Sequence, residues 1–355
     1  MKAALIGLTQ SGKSTILSAI SGRAMSQAGV AVIEEAVVPV PDERLDFLTA
    51  MYQPKKTTRG TIDCLDVPGF DFQDEHGRTS ARKLVNKIRT VDLLVWVIRA
   101  FEEASVPAYR NRVDPMRDLE ELKTELLLAD LELVTTRIER LESQIKKPTK
   151  TQAQDKAELE LQKKLQDAIE SEKPIRSVIS GEAELEIIKS LGFLTLKPFV
   201  AVLNVGEGNL ETEYDLKGTV GDARVIKLCA KLERELSLLD AESRKEFMAD
   251  LGLTQSAVSK FVNSCYSELG YISFLTSGAD EVRAWPIHAG TKAVDAAGKI
   301  HSDIKRGFIR AETTAFEDLK KYGSEKDVKA AGRMRLEGKD YVVQDGDIIN
   351  FRFNV

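Results

Sequence analysis

Cysteine and histidine are scarce in this chain, with three of each among 355 residues. Cys64, Cys229 and Cys265 stand far apart, as do His76, His288 and His301, so the sequence offers neither a disulfide framework nor a zinc-binding spacing. The cysteines read as reduced core residues, and any metal has to arrive with a ligand. No apolar run approaches the ~20 residues that cross a bilayer. The opening MKAALIG turns straight into a glycine-rich loop, without an h-region or a cleavage site, so a cytoplasmic protein away from membranes is expected. Nor is there a large excess of one charge: 51 Lys and Arg face 56 Asp and Glu, for a net charge of −5. That balance argues against a surface given over to phosphate contacts and against stable DNA binding. What the chain does have is 43% hydrophobic and 30% charged residues, the mixture of a folded globular protein. Its length exceeds the roughly 250 residues one core supports, so two or three domains are expected.

Lys2 to Gly7 reads as a short apolar strand, followed by a turn and by a helix-compatible stretch from Lys13 to Ile20. Further strands are expected over Ala31 to Val40, Gly60 to Val67, Asp92 to Arg99 (DLLVWVIR), Pro198 to Asn204 and Ala223 to Ala230. Near-continuous apolar runs of this kind suit a parallel sheet buried on both faces, which predicts a doubly wound α/β domain. Asp114 to Lys189 is different, with 18 acidic and 13 basic residues. Its stripe Leu127, Leu131, Val134, Ile138, Leu141 and Ile145 alternates spacings of four and three, a coiled-coil seam. Pro148 interrupts it, and Leu161, Leu165 and Ala168 resume it, so an inserted hairpin of two antiparallel helices is expected. Beyond Ile272 the short strands EVRAWPI, GFIRAET and INFRFNV surround a helix near Thr291 to Asp303, the pattern of a small α+β module. DYVVQDGDIINFRF reads as a hairpin about Asp345 and Gly346. Between Val282 and Arg335 there are 12 Lys and Arg against 7 Asp and Glu, either a solvated surface or an RNA-facing patch. The expected division is 1–112 with 192–271 for the nucleotide domain, 113–191 for the helical insert and 272–355 for the last module.

Gly7 to Ser14 reads GLTQSGKS, the G-x-x-x-x-G-K-[ST] phosphate loop, and it follows a strand and opens a helix as that motif requires. Gly7, Thr9, Gln10, Ser11 and Gly12 are expected to line the cradle, Lys13 to hold the β- and γ-phosphates, Ser14 to bind Mg²⁺ and Thr15 to reach the α-phosphate. Asp66 ends a strand in CLDVPG, where its carboxylate can hold the metal, and the backbone amide of Gly69 can meet the γ-phosphate. Lys13 and Gly69 are therefore the candidate catalytic groups. Asn204, Val205 and Glu207 (NVGE) follow a buried strand at the place of the guanine-reading N-K-x-D loop. A glutamate there is one methylene longer than aspartate, and Val205 replaces a lysine that packs over the base, so guanine selectivity should weaken while Asn204 can still bond an adenine edge. Cys229, Ala230 and Lys231 take the place of the second base-bordering loop.

Taken with VVPVPDERLD (Val37 to Asp46), RVDPMRDLEELKTELLLADLE (Arg112 to Glu132), GFIRAE (Gly307 to Glu312) and RLEGKDYVVQDGDIINFRFNV (Arg335 to Val355), these motifs give the chain a resemblance, over essentially its whole length, to the YchF group of Obg-like ATPases. The resemblance implies an OBG-type G domain, a helical insert and a C-terminal TGS module of ubiquitin-like β-grasp fold. It also implies slow Mg²⁺-dependent hydrolysis of ATP, with GTP accepted, by a monomer that associates with the ribosome, its large subunit, or another RNA–protein complex. The chain departs from that pattern at several places. AMSQAGVAVIEEA (Ala24 to Ala36), ahead of VVPVP, contains no threonine to close a first switch on the metal, and the second switch, FDFQDEHGRTSARKL, is poor in glycine. Gln10 replaces the family's asparagine. Phe70 stands where many GTPases place a glutamine that orients water, so hydrolysis needs another group or a partner. His76 reads as a solvated loop residue. The alternative to an ATPase switch is a nucleotide-binding scaffold that does not hydrolyse and acts through its C-terminal module.

Overall fold

A computed structural model describes residues 1–22, 32–146, 150–221, 223–250 and 256–354. Pro148 and most of the threonine-free stretch, residues 24–31, lie outside the described residues. The chain forms two compact units, Met1–Ala36 with Cys64–Ala257, and Val37–Asp63 with Val258–Val355. Its strands are β1 (Lys2–Ile6), β2 (Glu34–Pro39), β3 (Lys56–Thr58), β4 (Thr61–Asp66), β5 (Leu93–Ala100), β6 (Phe199–Val205) and β7 (Val225–Leu228), then β8 (Tyr271–Thr276), β9 (Glu281–His288), β10 (Phe308–Ala315), β11 (Arg335–Glu337) and β12 (Asp347–Phe353).

One sheet runs β2-β4-β1-β5-β6-β7, and its β1, β5, β6 and β7 are parallel. Every residue of β5, and all of β1 except Lys2, is buried, as helices covering both faces require. Helix α1 (Lys13–Ser21) follows β1 and helix α3 (Glu75–Lys87) follows β4, with helix α2 (Glu43–Tyr52) between β2 and β3. The loops after β1, β4, β5, β6 and β7 all leave the carboxyl edge of this sheet, where open α/β sheets bind ligands.

Helices α4 (Pro115–Gln144) and α5 (Gln152–Glu170) form the expected pair. Asp114 caps α4 by accepting from the Arg117 amide at 3.2 Å, with Pro115 fixing the first turn. The stripe is the seam: Val134, Ile138, Leu141, Leu161 and Leu165 are buried in one cluster, with Leu127, Leu131 and Ile145 packed against it. Gln162 is 0% exposed, and neither its amide nitrogen nor its carbonyl oxygen has a hydrogen-bond partner among the described residues. Burying such a group unpaired costs ~1–3 kcal/mol. Gln162→Met, similar in volume and free of that cost, is expected to stabilise the helical pair by about 1–2 kcal/mol. Urea titration followed by circular dichroism checks this, and an unchanged or lower midpoint refutes it.

At the root of the pair, Asp130 of α4 is completely buried. It accepts from Arg89 Nη1 at 2.7 Å, the Leu194 amide at 3.1 Å, and the Thr195 amide and hydroxyl at 2.9 Å each. Arg89, just beyond α3, also donates to the carbonyls of Ala129 and Gly192. Gly192 has φ 62°, and a Cβ there would lie 2.5 Å from the Arg89 carbonyl oxygen, so only glycine fits. One arginine–carboxylate pair thus gathers the end of α3, the outgoing helix and the returning chain.

The second sheet runs β11-β10-β12-β8-β9-β3. β12 pairs parallel with β8, β10 antiparallel with β12, and β8 antiparallel with β9, with the helix Ala293–Ile300 between β9 and β10. This is the β-grasp arrangement, extended at one edge by β3, which pairs parallel with β9. Residues 37–63, assigned by sequence to the nucleotide domain, lie in this unit: Leu45 and Leu48 of α2 are fully buried with Leu275, Val282, Phe316 and Leu319. The expected hairpin about Asp345 and Gly346 is not formed. Gly346 does turn, with φ 84°, but β12 pairs with β10 and β8, and Val342 bridges to Lys292. Asp345 explains the difference, because its carboxylate accepts from the Ser273 amide at 2.9 Å and pairs with Arg44 Nη1 at 2.9 Å, anchoring the turn to its own unit.

Candidate functional site

The turn after β1 is shaped by three glycines that tolerate no side chain. A Cβ on Gly7 would lie 2.3 Å from the Val97 carbonyl oxygen, one on Gly12 2.2 Å from Asn204 Nδ2, and one on Gly69 2.6 Å from Thr9 Cα. Gly12 begins α1 at φ 93°, and Gln10 is also left-handed at φ 60°. The loop after β4 is stitched to the turn: the Thr9 amide donates to the Phe70 carbonyl and the Phe70 amide to the Gly7 carbonyl, both at 3.0 Å. Phe70 itself is fully buried against Phe72 in the core, so its ring anchors the loop and does not face the cradle. His76 lies exposed in the first turn of α3, a helical and not a loop position.

Lys13 is buried, and its ammonium donates to the carbonyls of Gly7 at 3.3 Å and Leu8 at 3.2 Å and to Ser11 Oγ at 3.4 Å. Burial lowers its pKa to about 8, against the opposing pull of the Asp66 carboxylate. Asp66 ends β4 at 8% exposure, and its Oδ1 has no hydrogen-bond partner among the described residues. Burial raises its pKa, while the Ser14 hydroxyl and Lys13 act the other way. An unpaired carboxylate oxygen beside a serine hydroxyl, next to a buried ammonium, is a donor set that fits Mg²⁺ with an anion. Ser14 is exposed, and Thr15 half-buried.

The pKa of Lys13 has a measurable consequence. Phosphates need the ammonium form, and free protein loses that proton as pH passes about 8. Triphosphate affinity is therefore expected to be level between pH 6 and 7 and to fall by up to about tenfold per unit above pH 8. The sign for stability is opposite: a lysine disfavoured as a cation in the folded state destabilises below about pH 8, and that penalty fades as pH rises toward the unfolded value of 10.5. Titration with a non-hydrolysable ATP analogue between pH 6 and 9.5 decides the first point, and a flat profile sinks it.

At the end of β6, Asn204 is buried and used on both sides: Nδ2 donates to the Ser11 carbonyl at 3.0 Å, and Oδ1 accepts from the Ala230 amide at 3.0 Å. It ties the phosphate loop to the turn after β7, so only one N–H of its amide stays available to a base. Val205 and Cys229 are buried, whereas Glu207 is exposed and pairs with Lys231 at 3.2 Å. The sequence reading missed two residues at the end of β5. Arg99 is 3% exposed, and Phe101 packs beside both Gly12 and Gly206, within 3.9 Å of where their Cβ atoms would stand. Phe101 thus borders the loops after β1 and β6. An arginine breaking the run LLVWVI was their only signal.

A parallel sheet whose carboxyl edge carries a phosphate loop, a lysine in the cradle and an aspartate at the adjoining strand end defines a P-loop nucleoside triphosphatase of GTPase fold. Residues 2–204 match the profile described as 50S ribosome-binding GTPase, and residues 271–354 match YchF-GTPase_C, described as a protein of unknown function. The chain is 40% identical to the ribosome-binding ATPase YchF of Bacillus subtilis with all of both chains covered, and 36% identical to Obg-like ATPase 1 of Oryza sativa, covering 100% of this chain and 92% of that one. The solved YchF GTPase of Schizosaccharomyces pombe superposes with a TM-score of 0.82 at 29% identity, over 99% of this chain and 97% of that one. The chain belongs to the YchF family of Obg-like ATPases.

Proposed function

We propose that this protein is a Mg²⁺-dependent ATPase switch that works in the cytoplasm on the ribosome. The observation that carries the reading is the meeting, in one buried corner, of the Lys13 ammonium, the unpaired Asp66 oxygen and three glycines that leave no room for a Cβ. In this reading Lys13 leaves the Gly7 and Leu8 carbonyls for the β- and γ-phosphates, and Ser14 and Asp66 hold the metal. A Mg²⁺ ion held there would supply neutralisation of the charge that develops on the polyphosphate. In the same reading the Gly69 amide donates to the γ-phosphate. Water attacks in line, and since Phe70 faces the core, the group that orients it comes from elsewhere or from the partner. ATP is favoured over GTP because Glu207 is engaged by Lys231 and most of the Asn204 amide is used by the protein. Each missing guanine bond is worth on the order of 1 kcal/mol, so GTP is also accepted.

The relatives' names, ribosome-binding ATPase among them, support the ribosome as partner. Among the described residues no helix is long and apolar enough to cross a membrane. The helical insert, 113–191, and the C-terminal module are the parts proposed to dock, as a monomer, on the large subunit or its RNA. Titration with fluorescent ATP and GTP analogues and Mg²⁺, followed by phosphate release with and without ribosomes, tests the proposal. Lys13→Ala is expected to abolish both binding and release. Nucleotide binding without phosphate release, even on ribosomes, would replace the switch by a scaffold.

A further inference from the structure

Arg99 is a buried guanidinium, and among the described residues no carboxylate lies in ion-pair contact with it. Backbone carbonyls surround it instead: Nε donates to Phe101 at 3.1 Å, Nη2 to Val106 at 2.8 Å, and Nη1 to Pro107 at 3.0 Å and to Gln10 of the phosphate loop at 3.4 Å. Its carbon lies 4.4 Å from the centre of the Phe101 ring. Across the sheet Arg99 is in register with Asn204, so the two side chains leave neighbouring parallel strands on the same face. Each reaches one of two successive carbonyls, Gln10 for Arg99 and Ser11 for Asn204.

In a trans peptide the C=O and the N–H point in opposite directions. Drawing the Gln10 carbonyl toward Arg99 therefore turns the Ser11 N–H away from the Arg99 guanidinium, and drawing the Ser11 carbonyl toward Asn204 turns the Gly12 N–H away from the Asn204 amide. The Ser11 amide makes only a 3.4 Å contact with the Leu8 carbonyl, so it is easily given up to a phosphate. Gln10 holds a left-handed φ of 60°, a conformation that a non-glycine residue keeps only under restraint.

We propose that Arg99 is a positioning residue of the phosphate cradle: with Asn204 it orients the Gln10–Ser11–Gly12 peptides so that their amides face the polyphosphate, and it ties that orientation to the 101–107 loop. The inference rests on the triphosphatase reading above. Lysine keeps the charge, but one ammonium cannot span carbonyls on two loops. The test is titration of the full chain and its Arg99→Lys variant with Mg²⁺-ADP and Mg²⁺-ATP, together with steady-state hydrolysis. Both nucleotides are expected to weaken together by about tenfold or more, as expected when hydrogen bonds to a charged group are lost. KM should rise by the same factor while kcat stays within about threefold, because the cradle holds the ground and transition states alike.

ADP binding within about twofold of the parent's overturns the proposal. So does a fall in kcat at unchanged KM, or an equal loss of affinity in Leu319→Ala, a core truncation in the other unit, once the two variants are compared at equal melting temperature. Arg99→Gln replaces the lysine variant if the latter does not fold. In the parent, the amide hydrogens of Ser11 and Gly12 should become protected from exchange when ADP binds, and their failure to do so overturns the proposal without any variant. A parent that binds no nucleotide defeats the triphosphatase reading itself, a result distinct from a parent and variant that bind alike.

Discussion

Gly12→Ala is expected to weaken nucleotide binding by about two orders of magnitude while leaving the protein folded. The new Cβ would stand 2.2 Å from Asn204 Nδ2 at a φ of 93°. Two costs combine. A side chain at that φ is strained by ~1–3 kcal/mol. The clash also pushes aside the Asn204 amide, whose bonds to the Ser11 carbonyl and the Ala230 amide contribute ~1 kcal/mol each. Relief requires the loop to shift, and a cradle with displaced amides no longer converges on phosphate. Gly22→Ala is the control: it has a left-handed φ of 66° at the end of α1 but, among the described residues, nothing within 4 Å of its Cβ. It should cost stability, about 1 kcal/mol, and no affinity. Calorimetric titration with ADP separates the two, and a Gly12→Ala variant that binds within about fivefold of the parent refutes the argument.

Asp130→Ala is expected to lower stability by about 3–5 kcal/mol, the range for breaking a buried ion pair. The carboxylate serves the Arg89 guanidinium, two amides and a hydroxyl, and alanine leaves all of them buried without an acceptor. For a unit of this size that corresponds to a fall in melting temperature of roughly 10 °C. Asp130→Asn keeps the shape and one acceptor, so it should lie between the parent and the alanine variant. Hydrogen exchange should locate the damage at residues 192–195 and the base of α4. Loss spread evenly over both units, or a midpoint within about 1 kcal/mol of the parent, would contradict this account.

These two residues show where sequence reading succeeds and where it stops. The cradle is a local object, a strand, a glycine loop and a helix whose requirements fall within Lys2 to Ile20, so Gly7, Gly12 and Lys13 are legible. The α4–α5 seam is legible for the same reason, because a stripe repeating every three or four residues has one cheap burial. Asp130 is not, since it sits among the 18 acidic residues of the segment and nothing nearby marks it as the one that turns inward. Arg99 bonds only to carbonyls, which carry no residue signature. The turn at Asp345 and Gly346 shows the same limit in a strand, because turn chemistry fixes where the chain bends but not which strand comes to lie beside it. Residues 37–63 read as part of the nucleotide domain because strands expected for that domain open and close the segment, whereas the apolar pair Leu45 and Leu48 between them finds its partners more than two hundred residues later.

That distance has a consequence in time. Synthesis runs from the amino end at ~5–20 residues per second. α2 and β3 therefore leave the ribosome some 10–50 seconds before Leu275, Val282 and Leu319 exist to receive Leu45 and Leu48. For that interval the nascent chain carries the apolar pair Leu45 and Leu48 and an unpaired strand that it cannot shelter by itself. Of the two units, the one that holds residues 37–63 is the last able to fold, although more than half of the other is made after that segment.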